Sequence, residues 1–147
     1  MSKPEEAEAI FRGAFNCAQA VFTAFAPELG LERELALRVA GGFGGGIGRM
    51  GDVCGAVTGA VLVLGLKYGK YQPEDNAARD KTYALVQEFA RQFRERHTHL
   101  ACRDLLGCDI SQPGGSEYAR QNKLFDRCRD YVRDAVDIVE GMASEGR

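Results

Sequence analysis

The cysteine at position 54 lies within a glycine-rich stretch, in surroundings where a thiolate forms readily. The glycines around it are Gly46, Gly48, Gly51, Gly55 and Gly59. Asp52 is placed to cap a helix, which would put Cys54 in the first turn of that helix. Unpaired N–H groups and the positive end of the helix dipole stabilise a charged sulfur there. The pattern predicts a reactive or ligating thiol at Cys54.

The chain contains five cysteines, and the other four are Cys17, Cys102, Cys108 and Cys128. Cys17 and Cys128 fall on the apolar stripes of predicted helices, where a free cysteine also occurs simply as a small hydrophobic residue. Cys102 follows His97 and His99 in the spacing His-x-His-x-x-Cys, which could bind a metal ion. Histidines that close a helix also complement its dipole, and that interpretation is favoured for both.

Several common types of site are not predicted for this chain. No Cys-x-x-Cys motif occurs, which argues against a thioredoxin-type dithiol, a zinc ribbon, a bacterial ferredoxin and haem attachment. The glycines between 46 and 51 match the letters of a dinucleotide-binding loop. The segment before them is helical and no βαβ unit surrounds them, so a Rossmann site is not predicted.

Gly55 and Gly59 lie one helical turn apart, with Ala56 and Ala60 beside them. Small residues at this spacing let a neighbouring helix or a bulky cofactor approach the backbone closely. Two interpretations of this spacing therefore stay open. The small residues either allow close helix packing with nothing bound, or they border a cofactor site.

Hydrophobic periodicity predicts a single all-α domain over residues 1–147. The predicted helices are 5–25, 32–40, 53–68, 73–97 and 116–142, of which 32–40 is short. The other four are the main helices of a bundle. The helix 53–68 is apolar on nearly all sides and is expected to be buried at its centre. The glycine-rich residues 41–48 predict a loop.

Composition limits the partners and the compartment. Nineteen basic and 21 acidic residues give a net charge of −2, which suggests neither a nucleic-acid nor a membrane partner. The longest apolar run, 53–66, is shorter than the about 20 residues of a membrane span. Because the polar N-terminus has no apolar signal region, we expect a cytoplasmic protein with reduced cysteines.

Taken in order, these features resemble a known family. The relevant segments are Asn16-Cys17-Ala-Gln-Ala-Val, Gly42-Phe-Gly-Gly-Gly-Ile-Gly, Cys54-Gly-Ala-Val-Thr-Gly59-Ala, Cys102-Arg-Asp-Leu-Leu-Gly107 and Cys128. From about residue 6 to 139 the chain resembles the C_GCAxxG_C_C family of small redox-active proteins. The family is similar to the non-haem portion of split-Soret cytochromes, in which an iron–sulfur centre has been inferred. No haem-binding motif is present in this chain.

The resemblance implies a shared site for four cysteines. They are Cys17, Cys54, Cys102 and Cys128, with Gly55 and Gly59 beside them, while Cys108 falls outside the pattern. The leading hypothesis is an iron–sulfur cluster used for electron transfer or redox sensing, and the resemblance favours the [2Fe–2S] type. A redox partner protein is implied, and a homodimer is possible.

Two alternatives use the same residues. The first is a metal-free thiol–disulfide redox protein in which Cys54 is the low-pKa nucleophile. The second is a structural zinc site on the four thiolates.

Overall fold

The computed structural model describes residues 1–144, and this part of the chain is all-α, as predicted. The helices are α1 (Lys3–Arg12), α2 (Cys17–Phe25), α3 (Arg33–Ala40), α4 (Gly55–Tyr68), α5 (Asn76–His97), α6 (Cys102–Leu106), α7 (Gly115–Gln121) and α8 (Cys128–Ser144). Short 3-10 turns lie at Ala26–Leu29, Gly41–Phe43 and Leu124–Arg127. The predicted single domain includes residues 145–147, which lie outside the described part.

The helix α4 occupies the centre of the core. It packs against α2, α5 and α8, and Ala56, Val63 and Leu64 are among its buried residues. Its last turn reaches the surface, where Leu66 is 39% exposed. The predicted central helix is therefore confirmed for its first three turns, and it begins at Gly55 rather than at position 53.

The predicted helix 5–25 is two helices. Gly13 ends α1 by donating its amide to the carbonyls of Ala9 and Ile10. Asn16 then starts α2, because its side chain accepts from the Gln19 amide at 2.8 Å while the Gln19 side chain accepts from the Asn16 amide at 2.9 Å. This reciprocal cap stabilises a new helix start. As a result, Cys17 begins a helix instead of lying in the middle of one.

The predicted helix 116–142 is also divided. The helix α7 ends at Gln121, and Lys123 has a left-handed backbone with φ +57°. The 3-10 turn Leu124–Arg127 then leads directly into α8. Cys128 is the first residue of that helix, so it too lies at a helix start.

The remaining predicted helices agree more closely with the structure. The helix α3 covers almost the whole of the predicted segment 32–40. The helix α5 begins at Asn76, three residues after Pro73, because the Asp75 side chain caps it by accepting from the Ala78 amide at 3.1 Å. Among the described helices, none has the length and apolar character needed to span a membrane.

The glycine-rich loop is confirmed, and part of it winds in the left-handed sense. Residues 45–49 all have positive φ, between +57° and +72°, including the non-glycine residues Ile47 and Arg49. Left-handed backbone costs a side-chain-bearing residue about 1–2 kcal/mol. The turn is held by hydrogen bonds such as that from the Asp52 amide to the Gly46 carbonyl, 2.9 Å. The glycines allow the chain to form this left-handed turn shortly before Cys54.

The helices α2 and α4 approach each other closely at the two predicted glycines. A Cβ atom on Gly59 would lie 2.9 Å from the Ala18 carbonyl oxygen and 3.0 Å from Val21 Cβ. A Cβ atom on Gly55 would lie 2.9 Å from the Ala18 amide and 3.1 Å from Cys17 Cβ. Gly59 therefore serves the packing of the two helices, and Gly55 also brings the start of α2 to the start of α4.

Replacing Gly59 with alanine is expected to destabilise the fold by about 1–3 kcal/mol, because the methyl group has no room against α2. Gly65 on the same helix provides the control, since no atom lies within 4 Å of its Cβ position. Gly65→Ala should be neutral or stabilise the helix by up to about 1 kcal/mol. Urea unfolding measures both changes. Equal effects of the two substitutions would contradict a close approach at Gly59.

Candidate functional site

A cavity of about 660 Å³ opens at one end of the helical core. Four of the five cysteines line it, namely Cys17, Cys54, Cys102 and Cys128. The fold thus brings together four cysteines that lie far apart along the chain, and these are the cysteines of the family pattern. Their chemical role stays a prediction.

Each of these cysteines lies where a helix begins. Cys17, Cys102 and Cys128 are the first residues of α2, α6 and α8, and Cys54 is the N-cap residue of α4. The start of a helix carries a partial positive charge and amide groups without a partner within the helix. The starts of α2 and α4 therefore give the cavity a potential that favours negative charge. The first amides of α6 already donate to carbonyls such as those of Asp52 and Gly51, and α8 continues directly from a 3-10 turn.

A single β-bridge aligns two of the cysteines. Val53 and Ala101 pair in antiparallel orientation, and each directly precedes a cysteine. The Cys54 amide donates to the Leu100 carbonyl at 2.8 Å, and the Cys102 amide donates to the carbonyl of Asp52 at 2.6 Å. The two segments thus fix the start of α4 relative to the start of α6.

The other two cysteines, Cys17 and Cys128, lie close enough for each thiol to affect the pKa of the other. Interaction with the Cys17 thiol lowers the pKa of Cys128 below its ordinary value. Interaction with Cys128, together with burial, raises the pKa of Cys17 well above its ordinary value. Of the two residues, Cys128 is therefore the one that loses its proton more readily.

Burial determines the protonation of Cys54, which corrects the sequence-based expectation for this residue. The amides of Ala56 and Val57 face its sulfur and lower the pKa, but without an ordinary capping hydrogen bond. Burial is the larger effect and raises the pKa of Cys54 to about 12. The prediction that Cys54 is the low-pKa nucleophile is therefore wrong, because loss of hydration outweighs the helix dipole.

Asp52 does not cap α4, contrary to prediction, since Cys54 occupies the N-cap position. The Asp52 carboxylate instead lies 3.4 Å from the Arg103 guanidinium.

Cys102 resembles Cys54 in its protonation. Burial and the nearby Cys128 raise the pKa of Cys102 to about 11. In the absence of a ligand, the thiols of Cys54 and Cys102 are therefore neutral at pH 7.

Glycines form much of the cavity wall between the cysteines. A Cβ atom on Gly46 would lie 2.8 Å from Cys102 Cβ and 2.7 Å from the Asp52 amide. Gly46 is buried, and within the described chain its N–H group has no hydrogen-bond partner. A buried amide without a partner is rare and often marks the place of a ligand. Gly55 also lines the cavity, whereas Gly59 does not.

Apolar side chains complete the wall. Phe11, Phe125 and Tyr131 contribute rings, and the Tyr131 hydroxyl donates to the Leu105 carbonyl at 2.9 Å. The Tyr131 ring also packs against His97 and Phe93, with ring centroids 4.9 Å and 6.2 Å away. The four thiols are therefore in a mainly apolar environment.

The remaining sequence candidates lie outside this cavity. The Cys108 thiol donates to the Gly115 carbonyl at 3.4 Å. His97 Nε2 lies 2.8 Å from the Asp134 carboxylate, and His99 is exposed. None of the three is a lining residue.

The thiols surround a space and are not gathered at one point. Within residues 1–144, no group of three or more His, Cys, Asp or Glu side chains is arranged to hold a single metal ion.

The sequence analysis did not identify the helix cap formed by Asn16 and Gln19, which sets the start of α2. The spacing Asn-x-x-Gln resembles a capping box and could have revealed it.

Fold and site together define a class: an all-α protein in which four cysteines at helix starts share one cavity. The chain belongs to the family described as "Putative redox-active protein (C_GCAxxG_C_C)", whose model matches residues 15–142. No curated protein and no solved structure matches the chain. Membership agrees with the family resemblance inferred from the sequence.

In metal-free protein, iodoacetamide is expected to modify Cys128 before Cys54. A lowered pKa increases the thiolate fraction at a given pH, and a pKa of about 12 leaves Cys54 almost fully protonated at pH 8. Mass spectrometry of briefly alkylated protein measures the order.

The matched variants change the donor at position 17. Cys17→Ala removes the thiol that lowers the pKa of Cys128 and should slow the alkylation of Cys128, whereas Cys17→Ser keeps an O–H donor and should slow it less. Faster modification of Cys54 than of Cys128 in the unmodified chain would contradict this assignment.

Proposed function

We propose that this protein binds an iron–sulfur cluster through Cys17, Cys54, Cys102 and Cys128 and uses it for electron transfer or redox sensing. The observation that carries the proposal is that four cysteines at four helix starts line one cavity. Four thiolates are the usual ligand set of such clusters. The family description as redox-active agrees with this chemistry.

The residues present fit such a group. The cysteines form two pairs: Cys17 and Cys128 shift each other's pKa, and Cys54 and Cys102 directly follow the two residues of one β-bridge. Two irons that each take two thiolates match this division, which supports the [2Fe–2S] type. The unpaired amide of Gly46 is available to donate to a cluster sulfur.

The chain's own residues would set the properties of the cluster. Positive helix ends stabilise the more negative reduced state and so raise the reduction potential. The apolar wall and the burial of Cys54 limit access of water. When bound, the cluster supplies one-electron chemistry, and a redox protein would be the partner.

Loading the site requires the thiols to lose protons. Because the pKa values of Cys54 and Cys102 are raised to about 12 and about 11, these thiols are protonated at pH 7 in the free protein. Binding therefore releases protons, and cluster affinity increases with pH.

Protein purified without oxygen is expected to be brown and to contain iron and acid-labile sulfide in equal amounts. Replacing any one of the four cysteines with serine should remove most of the iron. Cys108→Ser is the matched control and should retain it, because Cys108 lies outside the cavity. Circular dichroism checks that each variant is folded. Equal iron loss in Cys108→Ser and Cys102→Ser would contradict the assignment.

A second prediction concerns the glycine wall. Gly46→Ala should lower the iron content, because the new methyl group would press on Cys102 and on the Asp52 backbone. Gly48→Ala provides the control, since Gly48 also has positive φ, +57°, but its Cβ position is 3.9 Å from the nearest atom. Both substitutions carry the cost of left-handed backbone, so only the close approach differs. Similar iron contents in the two variants would contradict the role given to Gly46.

The proximity of Cys17 and Cys128, which shift each other's pKa, favours a second candidate function, a metal-free dithiol. The Cys128 thiolate would attack a disulfide of a partner protein and form a mixed disulfide. Cys17, after losing its proton, would then attack Cys128, which leaves a Cys17–Cys128 disulfide and a reduced partner with two thiols. A colourless, iron-free protein that forms this disulfide on exposure to an oxidised dithiol partner would support the second candidate over the first.

A further inference from the structure

Apart from the cysteines, the charged side chains that line the cavity are all basic. Arg49 and Arg120 are the charged side chains that line it, and no aspartate or glutamate does so among the described residues. The chain as a whole has more acidic than basic residues, 21 against 19. A wall with two guanidinium groups and no carboxylate therefore departs from the average surface of this protein. The starts of α2 and α4 add partial positive charge to the cavity.

Arg49 is available to a ligand. It is exposed, and within the described chain it forms no ion pair. Its backbone is fixed in the left-handed turn by the hydrogen bond from its amide to the Gly44 carbonyl, 3.0 Å. Arg120 is exposed on α7 and pairs with Glu117, which does not line the cavity. A planar guanidinium with a free face suits a carboxylate or another planar anion.

The size and walls of the cavity indicate an organic ligand. A volume of about 660 Å³ falls within the about 300–1,000 Å³ typical of small-molecule sites. The rings of Phe11 and Phe125 and the side chains of Leu106 and Ile110 offer apolar contact. The cavity therefore has room for a small molecule beside the cysteines.

We infer that the cavity binds a small organic anion, with an apolar body against these walls and a carboxylate-like group at Arg49 and Arg120. This inference rests on the proposed function in that it names the substrate class of the same redox site. Arg49 and Arg120 are exposed, whereas Cys54 and Cys102 are buried and Cys17 and Cys128 are half-buried. The anion is expected at the exposed arginines and the cluster at the thiols.

The test compares two ligands that differ in charge, 3-phenylpropionate and its neutral analogue 3-phenylpropanamide. Binding to the full chain, purified without oxygen, is measured by ligand-observed NMR and calorimetry. The carboxylate is expected to bind at least about tenfold more tightly than the amide, as an ionic hydrogen bond to arginine implies. Equal binding of the two ligands, or binding of neither, would overturn the inference.

Substitutions locate the anionic group. Arg49→Gln and Arg120→Gln should each weaken carboxylate binding about tenfold and leave amide binding unchanged. Arg49→Lys keeps the charge and should retain most of the affinity. Arg38→Gln is the control, because Arg38 is exposed on α3, pairs with Glu34 and does not line the cavity. An equal effect of Arg38→Gln and Arg49→Gln would overturn the inference by showing only a net-charge effect.

Iron and sulfide are measured on the same preparations, so that the two proposals fail separately. Carboxylate preference in protein that never contains iron would contradict the cluster and leave the anion site standing. Full iron content without carboxylate preference would overturn the anion site alone.

Discussion

The position of Cys17 beside Cys54 depends on how closely α2 packs against α4. The two helices meet at Gly55 and Gly59, where even a methyl group would lie about 3 Å from the backbone of α2. Close packing also buries the apolar length of α4 against α2, α5 and α8. Because the approach is closest near the start of α4, it places two helix starts, each with a thiol, at the same end of the core. The bridge at Val53 and the turn before α8 then add the other two cysteines.

Burial and the helix dipole act in opposite directions on the thiols of this site. The positive ends of the helices favour thiolates, but for Cys54 and Cys102 loss of hydration is larger, and the pKa values of both are raised. Buried neutral thiols are poor nucleophiles at pH 7. They remain suitable ligands, because a metal replaces the proton and the surrounding amides then stabilise the bound anionic group. This balance favours a cluster over thiol chemistry at Cys54, and among the four cysteines of the cavity it leaves Cys128 as the one whose pKa is lowered.

The sequence predicted the all-α class, the central helix and the glycine loop, since these follow from hydrophobic periodicity and from the conformational freedom of glycine. It did not predict the breaks before Cys17 and Cys128. Periodicity continues across both breaks, and only the cap at Asn16 and the left-handed Lys123 reveal them. The family pattern selected the four cysteines that share the cavity, although residue spacing alone could not bring them together.

The pKa of Cys54 and the cavity-lining position of Arg49 could not be read from the sequence. The first depends on burial by distant segments. The second depends on a left-handed turn that is rare for a residue with a side chain. In both cases tertiary contacts, which local sequence does not encode, decide the property.

The most direct test of the four-cysteine site is the position of iron in a crystal. Crystals grown without oxygen would be measured on both sides of the iron absorption edge, and the anomalous difference map would be calculated. We expect one iron density inside the cavity, within bonding distance of the sulfurs of Cys17, Cys54, Cys102 and Cys128. A cavity without iron density and with a Cys17–Cys128 disulfide, or iron bound elsewhere on the chain, would contradict it.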